Sequence, residues 1–340
     1  MPVRTPFNEH ADGMRHLWRD PIGSLLTADD AALRYMARRE LLGETAPEID
    51  MGELPGVRQP TARQQPDGRW KYPGGNPAIR SRAAYDQLET YRQLAVLVCK
   101  FGLDRQHPAV AAAAGFLSSF QTETGDYRGI YGRQYTPNYS AAITEILIRA
   151  GYDHTAQVEN TLRWLLAMRQ DDGGWAIPAR TLGLSLNVML TARQTVEPDR
   201  SRPSSHLITG IVLRALAAHP RYRHSADTRR AAELLKSRFF RRDVYPDRAA
   251  PSYWLVFSYP FWWTDLLSAL DSSPGSASGV VTPTSPVAWP GSSATKNPAD
   301  CGIPGVTGPR VPTATCGSGS PYAGCSTPSA RECRSWPWAC

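Results

Sequence analysis

A short corner recurs three times in this chain of 340 residues. "RQQPDGRW" ends at Trp70, "FQTETGDY" at Tyr127 and "RQDDGGW" at Trp175. In each, a glutamine precedes polar residues, a glycine and then an aromatic: Gln65, Gly68 and Trp70; Gln121, Gly125 and Tyr127; Gln170, Gly173 and Trp175. The glutamines lie near fifty residues apart. A period in that range marks an array of supersecondary units, each burying its apolar face against its neighbours. The roles expected at the corner are structural. Glycine takes a backbone conformation that a β-carbon hinders, the acid accepts from free N–H groups near a helix start, and the aromatic buries a large surface. The glutamine amide is expected to bridge to the backbone of an adjacent unit.

The flanks define the unit. "HPAVAAAAGFLSSF" and "TAQVENTLRWLLAM" precede the second and third corners as one-sided helices, the first with Pro108 in its opening turn and the second with Val158, Leu162, Leu165 and Leu166 on one face. "YSAAITEILIRAGY" (139–152) and "SHLITGIVLRALAAH" (205–219) follow as helices of another kind, the latter apolar nearly all round and so buried on several sides. This alternation predicts an all-α double layer, with outer helices packed around inner ones. Helix pairs are expected around 83–120, 139–169 and 205–240, then an inner helix at 253–270. A further hairpin is expected at "TADDAALRYMARRELLG", capped by Thr27 and ended by Gly43.

Composition divides the chain into an N-terminal helical segment (1–60), the repeats (61–272) and a tail (273–340). The tail has no Leu, Phe, Met, Gln or His and is dominated by Pro, Gly, Ser and Thr, so it is expected to be disordered. The change is abrupt, and the body uses arginine far more than lysine, the mark of a GC-rich coding sequence. A frameshift near residue 272 is an equally good reading of the tail. Of six cysteines only Cys99 lies before residue 300, and the spacings of the rest match no metal motif. The net charge of +7 is scattered through helices and not gathered into a basic stripe, which argues against a nucleic-acid partner. The N-terminus lacks the pattern of a secretory signal, and a cytoplasmic protein is expected. "YWLVFSYPFWWTDLLSAL" is short for a bilayer span and carries Pro260 and Asp265, but leaves peripheral membrane association open.

"LLAMRQDDGGW" resembles the QW motif of the squalene–hopene cyclase and protein prenyltransferase β-subunit superfamily, and "QQPDGRWKYPGG" and "FQTETGDYRGIYG" resemble degenerate copies of it. The resemblance spans roughly residues 60 to 270. It implies an (α/α) toroid, here partial or open, and a hydrophobic isoprenoid or lipid ligand in a central cavity. It also implies cyclisation or isomerisation of a polyprenyl or triterpene-like substrate. The DxDD acid motif of the alkene-protonating members is absent; the nearest string is Asp29-Asp30. The zinc-binding Asp, Cys and His of the prenyltransferases are not matched either. No metal and no cofactor is therefore expected, and a non-catalytic toroid that binds a lipid or protein partner stands beside the cyclase.

Three residues are candidates for acid–base chemistry. Asp265 would have a raised pKa if buried among aromatics, as a general acid needs, or would be an ordinary carboxylate at a helix rim. Glu145 would face either the cavity or an arginine. His206, at a helix start, would be a ligand or a capping-region residue. Tyr85, Tyr139, Tyr253, Trp254, Phe257, Trp262 and Trp263 are candidate cavity aromatics, with Tyr91, Thr209, Tyr259 and Phe261 beside them; aromatic faces stabilise cations by roughly 0.5–2 kcal/mol each. Plain core packing is the competing role. The long connection 176–203 would be a lid, a partner surface or an idle loop.

Overall fold

The computed structural model describes residues 21–44, 50–77 and 80–273. Among them the chain forms twelve α-helices and no strand. These are α1 (Ile22–Leu26), α2 (Ala31–Leu42), α3 (Pro55–Thr61), α4 (Arg82–Ala95), α5 (Pro108–Ser118), α6 (Pro137–Leu147), α7 (Ala156–Ala167), α8 (Pro178–Thr181), α9 (Leu186–Thr191), α10 (His206–Ala218), α11 (Ala226–Lys236) and α12 (Leu266–Asp271). The protein is all-α. The expectations for the tail fall on 274–340, outside the described residues.

Two kinds of helix alternate as the sequence pattern predicts. Every residue of α6 and all but one of α10 are buried. By contrast, α7 buries only Val158, Thr161, Leu162 and Leu165, and α11 only Thr228, Ala231, Ala232 and Leu235. Both sets follow the i, i+3, i+4, i+7 spacing of a single apolar stripe. In α5, Val110, Ala113, Ala114 and Leu117 repeat it. Each one-sided helix packs on the buried helix before it: α5 on α4, α7 on α6, α11 on α10. The buried helices α4, α6 and α10 pack on one another in sequence order.

The corners hold the layers together by one geometry. In each, a first residue donates its N–H to the carbonyl four residues on: Gln65 to Arg69 (2.8 Å), Thr122 to Asp126 (2.9 Å), Gln170 to Gly174 (2.9 Å). The glycine three residues on lies in the left-handed region, at φ 88° for Gly68, 100° for Gly125 and 93° for Gly173. Its bare α-carbon faces the fifth residue of the next outer helix: Ala112, Asn160 and Arg230 respectively. Two residues later comes the buried aromatic, whose backbone N–H donates to a hydroxyl on a buried helix. Trp70 donates to Thr90 Oγ1 (2.9 Å), Tyr127 to Ser140 Oγ (3.0 Å) and Trp175 to Thr209 Oγ1 (3.1 Å). The indoles of Trp70 and Trp175 donate back to the carbonyls of Pro60 and Leu165, both at 2.7 Å, in the helix before the corner.

This register corrects one expectation. The bridging amide of the first corner belongs to Gln64, which donates to Gly68 O and to Ala109 O in α5, both at 2.9 Å. Gln65 starts the backbone turn, and its side chain reaches only Arg63 O. Gln121 bridges as expected, to Gln157 O in α7 at 2.7 Å. Gln170 spans to Asp199 O and Arg202 O, tying down the long connection instead of the next outer helix.

Two further expectations change. α2 is capped by Asp30, whose carboxylate accepts from the Ala32 and Leu33 N–H groups, and not by Thr27; Gly43 ends it at φ 67° as expected. No continuous helix forms over 253–270. Pro260 has no N–H and restricts Tyr259 before it, so the segment is divided. A 3-10 turn (Pro251–Leu255) and α12 are joined by an irregular stretch.

The close approach at each glycine can be tested separately from its backbone conformation. A β-carbon on Gly68 would lie 2.1 Å from Ala112 O and one on Gly125 2.6 Å from Asn160 O, both rigid backbone; on Gly173 the nearest atom is Arg230 Cδ at 3.3 Å, which can swing away. Gly173→Ala should therefore lose only the left-handed preference, about 1–2 kcal/mol. Gly68→Ala and Gly125→Ala should lose about 3–4 kcal/mol each, with steric crowding added. Urea unfolding of the three variants measures the difference.

Candidate functional site

The π-helical segments Val96–Lys100 and Ile148–Tyr152 extend α4 and α6, and beside them lies a cavity of about 180 Å³. Its walls come from Tyr91 and Ala95 of α4 with Cys99 of its extension, from Glu145 and Ile146 of α6 with Arg149 of its extension, and from Tyr259, Pro260, Phe261 and Asp271 of the C-terminal segment. It is lined on two sides by rings. Phe261 packs edge-on to Tyr259, with centroids 5.5 Å apart. Tyr91 is in edge contact with Tyr139 (6.5 Å) and Trp262 (6.0 Å), so the aromatic wall continues into the core.

The charge at this cavity is set by Glu145. Its Oε1 accepts from Arg149 Nε and its Oε2 from Arg214 Nε, each at 3.0 Å. Burial works against ionisation, but the two guanidinium groups outweigh it and hold the carboxyl below its ordinary value. Arg214 is only 1% exposed, in the middle of α10. It also donates to Phe261 O (3.1 Å) and Trp263 O (3.2 Å). A single buried cation thus pins the irregular 256–265 stretch to the inner helices. Of the two roles expected for Glu145, facing the cavity or facing an arginine, the structure shows both, and it places two arginines on the carboxylate.

Asp265 is fully buried and is the N-cap of α12. Its Oδ1 accepts from the Ser268 N–H at 2.7 Å while the Ser268 hydroxyl receives the Asp265 N–H, a reciprocal capping box. The other oxygen, Oδ2, is buried without a well-formed hydrogen bond. Burial pushes its carboxyl above the ordinary value despite that cap. The raised pKa expected of Asp265 is there, but the residue does not line the cavity.

His206 opens α10, about 12 Å along the helix from Arg214 at 1.5 Å per residue. Its ring lies on Trp254, centroids 4.8 Å apart, and its Nε2 is 3.5 Å from Asp243 Oδ2. That carboxylate accepts from the Ser205 hydroxyl (2.7 Å) and the Leu207 N–H, so it caps the helix. Burial and the nearby Arg238 outweigh Asp243 and lower the His206 pKa, keeping the ring neutral. His206 is a capping-region residue.

The candidate aromatics are distributed over several places. Tyr139 packs in the core against Tyr131, centroids 5.3 Å apart. Tyr85 stacks on Tyr72 and accepts from the Asn76 N–H. Trp254 is buried and donates to Arg241 O. Tyr253 and Trp263 hold the Arg248 guanidinium, 4.8 and 3.7 Å from their centroids. Phe257 is 56% exposed. Thr209 is not a cavity residue: it holds the Trp175 corner. The residues not singled out beforehand are Arg149, Arg214 and Asp271; an arginine amid the apolar run "ITGIVLRALAA" was the visible sign of a buried ion pair.

The connection 176–203 is bound to the second corner's loop. Gln134 donates to Gln194 O and accepts from the Val196 N–H, both at 2.8 Å, and the Tyr135 hydroxyl donates to Glu197. Asp172 belongs to the third corner: it accepts from the Ser204 N–H (2.9 Å), the Gly174 N–H and Arg238 (2.8 Å), which together outweigh burial and lower its pKa. Asp30, in the string nearest to DxDD, is a helix cap paired with Lys100 at 3.0 Å. Among the described residues no three His, Cys, Asp or Glu side chains converge as metal ligands. None of the described helices is long and apolar enough to cross a membrane.

Fold and site thus define an all-α protein of repeated helix pairs with a small aromatic cavity at the ends of two inner helices. No protein-family profile and no curated protein matches the chain.

The two carboxylates should respond oppositely to neutralisation. Glu145→Gln leaves Arg214 buried beside a neutral amide and should cost about 3–5 kcal/mol at pH 7. Asp265→Asn keeps a good cap and removes a charge that burial disfavours, so stability at pH 7 should hold or rise. Because the folded Glu145 pKa is depressed, its contribution is present above the ordinary value of 4.5 and is lost as pH falls through the lower folded value. Chemical unfolding of both variants between pH 3 and pH 8 reads these signs.

Proposed function

We propose that this chain is a helical-repeat protein that binds the apolar end of an isoprenoid or lipid in the cavity between α4, α6 and the 256–261 stretch, and does not transform it. The reading rests on one observation: the carboxylate facing the aromatic wall, Glu145, is clamped by two arginines and held ionised. Protonating an alkene requires a carboxylic acid with its proton in place. A carboxylate in two charge-assisted hydrogen bonds has none to give.

Size supports the same reading. Cavities of roughly 150 Å³ hold a benzene-sized ligand. At about 180 Å³ this one takes a ring or one branched isoprene end and not a folded triterpene. Kinship with the terpenoid cyclase and prenyltransferase toroids is part of the proposal, supported by the three corners and the two alternating helix types.

A cyclase is the second reading, favoured by Asp265, which is buried with a raised pKa. Its service as a helix cap and its place off the cavity wall weigh against it. The zinc-dependent prenyltransferase has less support. Among the described residues no three His, Cys, Asp or Glu side chains converge around Cys99 or elsewhere as a zinc site requires.

Incubating the full chain with squalene, farnesol and farnesyl diphosphate, then measuring bound ligand and analysing products, separates these readings. Binding with unchanged ligand is expected. Tyr91→Ala and Phe261→Ala should each weaken it about tenfold, the equivalent of about 1.4 kcal/mol of lost ring contact. A cyclised product would establish the second reading, and no binding of any of the three would overturn the first.

A further inference from the structure

Arginines that leave the surface of this protein find acceptors. Among the described residues, every buried or half-buried arginine but one gives an N–H to a carboxylate or to a backbone carbonyl, as Arg180, Arg214 and Arg238 do. The exception is Arg248. It is half-buried, makes no hydrogen bond or ion pair with any described residue, and its Nε is buried without an acceptor. Burial lowers its pKa, opposed only by Tyr253. The adjacent carboxylate is already committed: Asp247 accepts from Arg180 Nε at 2.6 Å and from Nη2 at 2.7 Å.

The chain holds this cation in place against backbone strain. Arg248 sits at φ 50°, in the left-handed region, where residues other than glycine, asparagine and aspartate are uncommon. Its loop is closed by the Asp243 N–H donating to Ala249 O (2.9 Å) and is anchored to α8 through the pair of Arg180 and Asp247. The guanidinium carbon lies 3.7 Å from the Trp263 centroid and 4.8 Å from that of Tyr253. A guanidinium this near an indole is stacked on its face, and the rings attract its charge without supplying an acceptor. The N–H donors lie in the guanidinium plane, so their edge is left for a partner that approaches in that plane.

We propose that Arg248 anchors a binding site for a small oxyanion, the carboxylate or phosphate group of a ligand, taken bidentate along the guanidinium edge beside Tyr253 and Trp263. A desolvated charge, an unmet donor and a strained backbone meet at this one residue. An oxyanion answers the first two together, because two parallel charge-assisted bonds neutralise the guanidinium and satisfy its N–H groups. Backbone strain persists where the surrounding structure over-determines it, and ligand clamps are among the places where it gathers. Here the closed loop and the anchored Asp247 do that fixing, so the guanidinium has little freedom left to lose on binding. A cation that only stapled two rings together would need no planar fork, and a lysine would serve. Arg248 is not a wall of the cavity beside Glu145, and the assignment does not rest on what that cavity holds.

Nitrogen-15 NMR of the full chain reads the site through its arginine Nε–H groups, the Arg248 signal being the one that Arg248→Lys removes. Titrated at fixed ionic strength with sodium acetate and, separately, with sodium phosphate, that signal should shift to saturation at concentrations about tenfold below those at which sodium chloride moves it. The Trp263 indole N–H should move in step, and in Arg248→Lys, which keeps the charge and loses the fork, it should report a Kd about tenfold weaker. The tighter anion identifies the ligand's group, acetate standing for a carboxylate and phosphate for a phosphate monoester. If no Nε–H of the parent chain shifts to saturation with either anion, the proposal is overturned, a result that needs no variant. An unchanged Kd in Arg248→Lys overturns it too, because the anion would then answer to charge and not to the fork. Should the lysine variant not fold, Arg248→Gln takes its place, with loss of the shift expected and its retention counting against the site.

Discussion

The hydrogen bond from each corner's aromatic N–H to a hydroxyl on a buried helix is the contact on which the rest of the structure depends. A chain leaving one helix and entering a dry layer carries N–H groups that need acceptors there, and a buried helix has already spent its own carbonyls. Thr90, Ser140 and Thr209 supply the acceptor from the side chain. With that N–H satisfied, the ring of Trp70, Tyr127 or Trp175 can be buried fully, and the residues before it must turn tightly enough to require glycine. The left-handed glycine then brings the backbone flush against the next outer helix. A hydroxyl on one layer therefore sets the spacing between the units of another. Leaving such an N–H buried without a partner costs about 1–3 kcal/mol, so three corners together weigh as much as a large part of a domain's net stability.

What could be read from the sequence follows the range of the interaction. The corners, the alternation of helix types and the fully buried character of α6 and α10 are local patterns of glycine, aromatic and 3.6-residue periodicity. They appear in the structure where the pattern puts them. The bridging amide of the first corner was not legible, because Gln64 and Gln65 are the same residue type and only the backbone turn decides which begins it. The 253–270 segment carries enough apolar residues for a helix, and Pro260 prevails over them by removing a donor. Glu145 could not be assigned from its neighbours, since the arginine that decides its charge lies 69 positions away. Asp243, which caps α10 beside His206, is distant in sequence for the same reason.

Two of the three candidate acid–base residues, and the Asp243 beside the third, share a structural purpose. Each stands where a buried helix or stretch would otherwise leave a charge or an N–H group unmatched. Asp265 and the Asp243 beside His206 cap helix starts, and Glu145 neutralises an arginine sunk in α10. Their perturbed acidities follow from burial and from these partners. A shifted pKa identifies a functional site only when the group also faces a space a ligand can enter. Here the conditions separate: Asp265 has the raised value without the cavity, and Glu145 has the cavity with a lowered value.

The third corner shows how the same separation governs a pair of adjacent carboxylates. "RQDDGGW" places Asp171 and Asp172 side by side, the arrangement that acid–base catalysis often uses. In the structure Asp172 turns inward to take the Ser204 and Gly174 N–H groups and the Arg238 guanidinium, joining the end of α7 to the start of α10 and the stretch beyond α11. Asp171 instead donates its backbone N–H to Arg200 O, fastening the long connection to the corner. One carboxylate is held ionised by its donors, and neither residue lines the cavity beside Glu145. The acid-rich corner is thus the joint at which three helices and a 28-residue connection meet, and the residues that make it conspicuous in the sequence are those the joint requires.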